Sequence, residues 1–321
     1  MLEIKNLNVE FVKRDNTRHI LKDISFNLGK GSIIGLAGES GSGKTILAKT
    51  VLGLLPSTIH KIKGEIIFNS ITLKNSMDYK NIRGRHISII TQNPMSALNP
   101  VLKIEDQITE ILRVHGKNIN KKKIKSSAIK LLKEAGLNNP EEILKSYPHT
   151  LSGGMNQRVM IALSLASNPE ILIADEPTTA LDVTTQSHIL NLLNKLNDEK
   201  QLSILLISHD ISLLEKICHK IIIIYAGEIM EILDTYGKTT YDVHHPYTHS
   251  LKKCIPEICI SDVKTNNKYL YTIPGNIAIN DKSMDNKCIF YDRCFNKIDL
   301  CEKKKPAILD SKSYKCFNPV K

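Results

Sequence analysis

Apolar and polar residues alternate from Leu2 to Val9 and again from Leu21 to Leu28, the period of half-buried strands. Ser32 to Ala37 is a nearly continuous apolar run that ends in a glycine-rich turn, and a helical pattern follows from about Thr45 through Leu55, where Pro56 stops it. Strand-like alternation returns between 64 and 92, in Gly64–Phe68 and His86–Ile90. From Pro94 to about Ala166 the apolar positions take helix spacing, for example Ile104, Ile108, Ile111 and Leu112, which predicts an inserted helical block. Buried-strand patterns then recur at Ile171–Ala174, Ser203–Ser208 and Ile221–Tyr225, separated by helical stretches at Ser187–Leu196 and Ile211–Cys218. Strands alternating with helices predict an α/β fold, a parallel sheet covered on both faces. From about Tyr241 the chain is polar and poorly periodic, which suggests a C-terminal extension.

Composition narrows the classes. With 321 residues and 41% hydrophobic content, the chain can build one large domain and a smaller appendage. Its start lacks the basic, apolar and small-residue layout of a secretory signal, which predicts a cytoplasmic protein. No apolar stretch approaches the roughly 20 residues that cross a bilayer, so a membrane role would be peripheral. The net charge is +11, yet the lysines are scattered. The dense run Lys117–Lys133 also carries Ile124, Ala128, Leu131, Leu132 and later Ala135 on one helical stripe, so its lysines are read as a solvated face and not as a nucleic-acid patch. Seven cysteines in a reducing compartment argue against a disulfide framework.

Gly38-Glu-Ser-Gly-Ser-Gly-Lys-Thr45 fits G-x-x-x-x-G-K-[ST] between a strand and a helix. In this pattern Gly38, Ser40, Gly41, Ser42 and Gly43 curl the backbone so that its N–H groups face phosphate oxygens. Lys44 supplies a point charge, the Thr45 hydroxyl is placed to ligate Mg²⁺, and Ile46 lies in the helix whose positive end completes an ATP site. Downstream, the strand Ile171-Leu-Ile-Ala ends in adjacent carboxylates, which are costly to bury unless they hold a metal or do chemistry. Asp175 can approach the Mg²⁺ shell while Glu176 polarises a water as general base.

A third element, Leu151-Ser-Gly-Gly-Met-Asn-Gln157, stands directly before a helical stripe. Together the three elements resemble the ATP-binding cassette (ABC) superfamily. Gln92 in IITQNP is similar to its Q-loop, Ala180-Leu-Asp182 to its D-loop, and His209 in LLISHD to its switch histidine. The resemblance implies a phosphate-loop (RecA-like) core with an antiparallel β subdomain and a helical insert. It also implies that two such domains close head to tail, with Ser152, Gly153, Gly154 and Asp182 of one meeting the ATP held by the other. Gln92 would sense Mg²⁺ and the attacking water, and His209 would hold the γ-phosphate and orient Glu176. Phe11, at the end of the first strand, is read either as an adenine-stacking aromatic or as core packing. Position 156 is Asn where import-type signatures commonly carry Arg or Gln; little effect on hydrolysis is expected from it.

The finer resemblance is to the ATPases of the peptide/nickel importer family, carried by QNPMSALNP, by Leu151–Val183, by His245-Pro-Tyr-Thr248 and by Ile273-Pro-Gly275. It divides the chain into an ATP-binding domain over 1–250, with the helical subdomain at about 94–166, and a C-terminal oligopeptide-transporter-type extension over 251–321. It implies ATP hydrolysis coupled to import, a second ATPase subunit forming a heterodimer, two membrane permeases, an extracytoplasmic binding protein, and a place on the cytoplasmic face of the membrane. Peptide cargo leads this reading, with nickel or metal chelates as the alternative and a nucleic-acid-associated cassette as the rival from another class. That rival normally separates phosphate loop and signature by a long coiled coil, for which there is no room between Lys44 and Leu151.

Cys288, Cys294, Cys301 and Cys316 form the pattern C-x5-C-x6-C-x14-C, with Phe290 and Arg293 at family-like places and Phe295 where the family has proline. Four thiols leave open a tetrahedral zinc site, an iron–sulfur cluster or plain thiols; the resemblance implies a [4Fe-4S] cluster of structural role. Cys218, Cys254 and Cys259 are read as packing or surface residues. His244, His245 and His249 are read as structural.

Overall fold

The structure is a computed structural model, and it describes residues 1–13, 16–58, 60–115, 121–179, 181–238, 240–255, 271–277, 286–308 and 313–320. Two sheets organise it. An antiparallel sheet takes β1 (Leu2–Lys13), β2 (Asn16–Leu28), β4 (His60–Phe68) and β5 (Ile71–Thr72) in the order β2-β1-β4-β5. The larger sheet runs β10-β9-β3-β8-β7-β6, from β3 (Ile33–Ala37), β6 (Ile87–Ile90), β7 (Ile171–Asp175), β8 (Ser203–Ser208), β9 (Lys220–Tyr225) and β10 (Glu228–Asp234). All its pairings are parallel except β9 with β10. The apolar runs read as central strands are buried throughout in β3, β7 and β8.

Successive side chains of one strand serve opposite cores, as the two-residue period requires. On β8, Ile204 and Leu206 pack with the helical block and the C-terminal region, while Leu205 and Ile207 pack against the antiparallel sheet and α1 (Lys44–Val51). The helical pattern of residues 94–166 resolves into α3 (Pro94–Ala97), α4 (Ile104–His115), α5 (Lys121–Glu134), α6 (Pro140–Lys145) and α7 (Gly153–Leu165). On α5, Ile124, Ala128 and Leu132 are buried, as is Ala135 just beyond it, and Lys123, Lys125, Lys130 and Lys133 are exposed. The lysine run is thus the solvated face of an amphipathic helix over its described part.

Three departures from the sequence reading have local causes. Helix α1 ends at Val51, short of Leu55, because Gly53 turns into the left-handed region at φ 60° against the Tyr79 ring of α2 (Ser76–Ile82). Strand β10 reads only weakly because Glu228 and Glu231 are fully buried within it, each held by polar partners from later in the chain. The third concerns the C-terminal region, which is polar in sequence yet not peripheral. Residues 313–315 add to the open edge of β10 through Ser313 and Lys315 backbone bonds, and Phe290 packs into the main core beside Tyr225 and Tyr247. After α7 come α8 (Val183–Lys200), α9 (Ile211–Glu215) and α10 (Pro246–Lys253), the last spanning position 250.

His245 caps α10 by accepting the Tyr247 N–H on Nδ1 at 3.0 Å, and complete burial pushes its pKa down to about 3, so the ring is neutral. His244 and His249 lie against Tyr314 and Phe295. Cys218 is buried in the core and Cys254 half-buried; Cys259 lies outside the described residues. No described helix is long and apolar enough to cross a membrane.

Candidate functional site

Parallel register builds the site. Ala37 of β3 stands beside Ser208 of β8, Asp175 of β7 beside Ile207, and Ile90 of β6 beside Ala174. The segments that follow these strands, with Gly38, Glu176, His209 and Gln92, therefore leave the sheet at one carboxyl edge, where open α/β sheets place their ligands.

After β3 the chain curls through Gly38 at φ 154°, where a Cβ would come within 2.2 Å of the Ile224 carbonyl oxygen. No side chain can occupy that position. Gly41, at φ 82°, instead faces open space, with nothing within 4 Å of where a Cβ would lie. The loop is a cradle with room on its outer side. Ser40 and Gly41 are exposed, whereas Ser42 is buried. Gly43 enters α1 in the left-handed conformation, and no side chain caps that helix, so its positive end stays available to an anion.

Lys44 is 5% exposed, and its Nζ donates to the carbonyls of Gly38 at 2.7 Å and Glu39 at 2.9 Å. Burial lowers its pKa, against the pull of Glu176, Asp175 and Glu39. The ammonium is held in place by the loop it serves. Thr45 Oγ1 donates to Asp175 Oδ1 at 3.3 Å, and burial raises the pKa of that aspartate although Thr45 and Lys44 work the other way. A buried carboxylate beside a hydroxyl is a hard-oxygen donor set of the kind Mg²⁺ takes. Ile46 is half-buried against the core that α1 shares with the antiparallel sheet.

Glu176 sits at φ 49°, an uncommon conformation for a non-glycine residue that costs about 1–2 kcal/mol and turns its carboxylate off the strand. Three groups converge on its Oε2: Gln92 Nε2 at 3.0 Å, Thr179 Oγ1 at 2.9 Å and His209 Nδ1 at 3.5 Å. Gln92 and His209 are exposed, so both are on the open side of the site. Thr179 was missed by sequence reasoning; its spacing of three from Glu176 on a tight turn, with Thr179 N–H donating to the Glu176 carbonyl, is the signal that could have found it.

The signature residues lie elsewhere. Ser152 caps α7 by accepting the Met155 N–H at 3.3 Å, and Ser152 and Gly153 are exposed. Their neighbours belong to the segment opening α8 (Val183–Lys200): a Cβ on Gly154 would reach Thr185 Cγ2 at 2.9 Å, and one on Gly153 would reach Leu181 at 3.9 Å. Asp182 caps α8, accepting from the Thr185 N–H at 2.9 Å and its hydroxyl at 2.7 Å. The structure thus brings the signature and Asp182 together, and none of the hydrogen bonds among the described residues joins them to the phosphate loop. Asn156, the departure from the usual signature, is 2% exposed; it donates to the Pro148 and Leu151 carbonyls and touches Met95 of α3. It fixes the turn that presents Ser152. Ala180 lies outside the described residues.

Phe11 is half-buried and meets His60 edge-on at 5.4 Å. In the C-terminal region Cys288 and Cys301 are buried and Cys294 and Cys316 half-buried, near enough to influence one another's ionisation. Burial pushes the Cys288 thiol up to about 12 and the Cys316 thiol up to about 11. Among the described residues no group of three or more Cys, His, Asp or Glu side chains is arranged to hold a metal ion. The described arrangement does not fit the expected [4Fe-4S] cluster.

The family model of the ABC transporter domain matches residues 21–179, and that of the oligopeptide/dipeptide transporter C-terminal region matches residues 236–301. The oligopeptide transport ATP-binding protein AppD of Bacillus subtilis is 39% identical, aligned over 99% of this chain and 96% of its own length. The dipeptide transport ATP-binding protein DppD of Escherichia coli is 35% identical over 100% of this chain and 97% of its own. Among solved structures, the dimeric post-hydrolysis state of the ATP-binding cassette MJ0796 bound to ADP and Pi superposes with a TM-score of 0.66 at 29% identity, covering 74% of this chain and 100% of that one.

Proposed function

Because the chain belongs to the oligopeptide/dipeptide transport ATP-binding proteins of the ABC transporter family, we propose that it hydrolyses ATP to drive the import of di- or oligopeptides through separate membrane permeases. The observation that carries the chemistry is the placement of Glu176 on the same sheet edge as Lys44, its carboxylate aimed by Gln92, Thr179 and His209. The relatives are named for peptide transport, which weighs for peptide cargo over the nickel, metal-chelate and nucleic-acid alternatives.

In this reading the glycine cradle and the start of α1 bind the phosphates of ATP, with Lys44 opposite the outer ones. Thr45 and Asp175 would hold Mg²⁺, with Gln92 beside them; the ion neutralises phosphate charge. Glu176 takes a proton from the attacking water, held to one orientation by Thr179 while His209 and Gln92 contact the γ-phosphate side. Ser152, Gly153, Gly154 and Asp182 face a second ATPase subunit, in a heterodimer whose closure on ATP and release after hydrolysis move the permeases. Exposed Met95 and Val101, around the QNPMSALNP segment after Gln92, support a permease-docking role there. Phe11 is assigned to the adenine side, supported by its incomplete burial.

The cassette core and a C-terminal extension from about residue 251 are taken as the two units of the chain. An extracytoplasmic binding protein would supply cargo, and the subunit would work at the cytoplasmic membrane face. The test is reconstitution of the full chain with its membrane partners in vesicles. Peptide delivered by the binding protein should raise ATP hydrolysis and accumulate inside; hydrolysis indifferent to every peptide offered would remove the importer assignment.

A further inference from the structure

Glu39 is the second residue of the phosphate loop, and nothing in the nucleotide pattern specifies it. In the structure all of its polar groups are taken. Its N–H donates to the Tyr247 hydroxyl of α10 at 3.0 Å, and its carbonyl accepts from Lys44 Nζ at 2.9 Å. Its carboxylate receives a two-pronged bond from Arg293, Nη1 to Oε1 and Nη2 to Oε2, both at 3.1 Å. Arg293 comes from the far end of the chain, in the short 3-10 turn Tyr291–Arg293. Its side chain is 6% exposed.

That guanidinium is also fully occupied. Nε donates to the Pro274 carbonyl at 2.8 Å, Nη2 to the Ile273 carbonyl at 3.4 Å and Nη1 to the Tyr225 hydroxyl at 3.4 Å. Tyr225 and Tyr247 in turn pack edge-on at 4.8 Å, with Phe290 against both. This buried arginine fork is tied at once to β9 through Tyr225, to α10 through Glu39 and Tyr247, and to the C-terminal region through Ile273 and Pro274. Surface ion pairs are worth little because both partners stay solvated; here the guanidinium is buried and the carboxylate is only partly exposed. Buried arginines of purely architectural purpose need only satisfy their hydrogen bonds. Here the charged partner is the loop residue whose carbonyl positions the Lys44 ammonium.

We propose that Arg293 is a positioning residue of the ATPase site: by clamping Glu39 it fixes the phosphate loop and the Lys44 ammonium, so that the fold of the C-terminal region sets the affinity for ATP. The chain of contact runs from the Arg293 guanidinium to the Glu39 carboxylate, and from the Glu39 carbonyl to Lys44 Nζ. Removing the fork frees the loop at Glu39 and leaves a carboxylate uncompensated beside the place where phosphates bind. Both effects weaken ATP binding more than they slow the chemical step, because Glu176 and its three partners lie in the segments that follow β6, β7 and β8.

The inference rests on the ATP-binding reading above. The test measures the dissociation constant for ATP by titration of the full chain, and kcat and KM in the reconstituted complex, for the unaltered protein, Arg293→Gln, Arg293→Lys, Glu39→Gln and the double variant Arg293→Gln/Glu39→Gln. Thermal unfolding is followed alongside. Arg293→Gln is expected to weaken ATP binding by about tenfold, the scale of one charge-assisted bond, with KM rising in step and kcat changing less than about twofold. Arg293→Lys, which keeps the charge and loses the fork, should fall between. In the Glu39→Gln background the same Arg293 substitution should change affinity by less than about twofold, because its route to the loop is already cut.

Unchanged affinity in Arg293→Gln overturns the proposal, as does an equal loss with and without Glu39, which would make Arg293 a general stabiliser. Should Arg293→Gln fail to fold, Arg293→Lys and its combination with Glu39→Gln decide the question by the same comparison. An unaltered chain that does not bind ATP would instead overturn the nucleotide-site reading itself.

Discussion

Asp175 and Asp182 lie one short loop apart, and the structure treats them in opposite ways. Asp175 is buried at the end of β7, and desolvation raises its pKa. Asp182 is exposed at the start of α8, and hydrogen bonds from Thr185 lower its pKa. The first carries a charge that the chain only partly compensates, beside Thr45, and so is suited to a cation. The second is satisfied within its own helix cap. The same contrast separates the two halves of the site. Around Lys44 and Glu176, a buried ammonium, the buried Asp175 carboxylate and a carboxylate on strained backbone lie near enough to influence one another. Around Ser152 and Gly153, the groups are exposed at the start of α7, and their positive helix end has no counterpart from the phosphate loop. A half-site of each kind in one chain fits the proposed head-to-tail pairing with a second ATPase subunit.

The largest test of this contrast acts on the buried half. Glu176→Gln should lower hydrolysis by about 10²–10⁴-fold in the assembled complex and leave ATP binding intact, since only the proton acceptor is lost. Isothermal titration and phosphate release check the two parts separately. On the exposed half, Gly153→Asp should be harmless to the isolated chain, because a Cβ there meets only Leu181 at 3.9 Å and an acidic residue suits a helix N-terminus. In the complex it should cut hydrolysis by about 10²-fold by setting a negative charge against the partner's nucleotide. Loss of ATP binding by the isolated variant would erase the division between the halves.

Smaller effects sharpen the picture. Thr179→Val removes one of the hydrogen bonds on Glu176 Oε2, and at about 1 kcal/mol for such a bond kcat should drop about fivefold with KM little changed. Melting temperature against pH should then show opposite slopes for the two aspartates. The raised folded pKa of Asp175 means that stability falls as pH climbs through it and the buried group ionises, so Asp175→Asn should gain stability relative to the unaltered chain as pH rises. The lowered folded pKa of Asp182 gives stability present above its unfolded value and lost as pH falls toward the folded one. Asp182→Asn should therefore cost a small shift at neutral pH that vanishes in acid.

The nucleotide site was legible because its pieces are short, local and chemically demanding. A glycine loop before a lysine, two acids ending an apolar strand and a small-residue turn before a helix each announce themselves within a few residues. The central strands were legible for a related reason: burial on both faces leaves them apolar throughout. Strand β10 and the C-terminal region were not, because Glu228, Glu231, Arg293 and His245 satisfy their polar groups with partners distant in sequence, and a buried polar residue reads as exposed until its partner is known. The four cysteines differ again. Their spacing left metal and plain-thiol readings open, the family resemblance alone implied a cluster, and the folded arrangement presents no metal-holding group among the described residues.

By itself the sequence determined which chemistry the chain carries and in which order its strands and helices come, since periodicity and the phosphate-binding pattern depend on neighbours along the backbone. Only the tertiary structure decided that Gln92, Thr179 and His209 meet on one carboxylate oxygen, that the signature turns toward α8, and that Arg293 reaches back to the phosphate loop. Parallel register and side-chain packing set those distances, and both are properties of segments brought together from far apart in the chain.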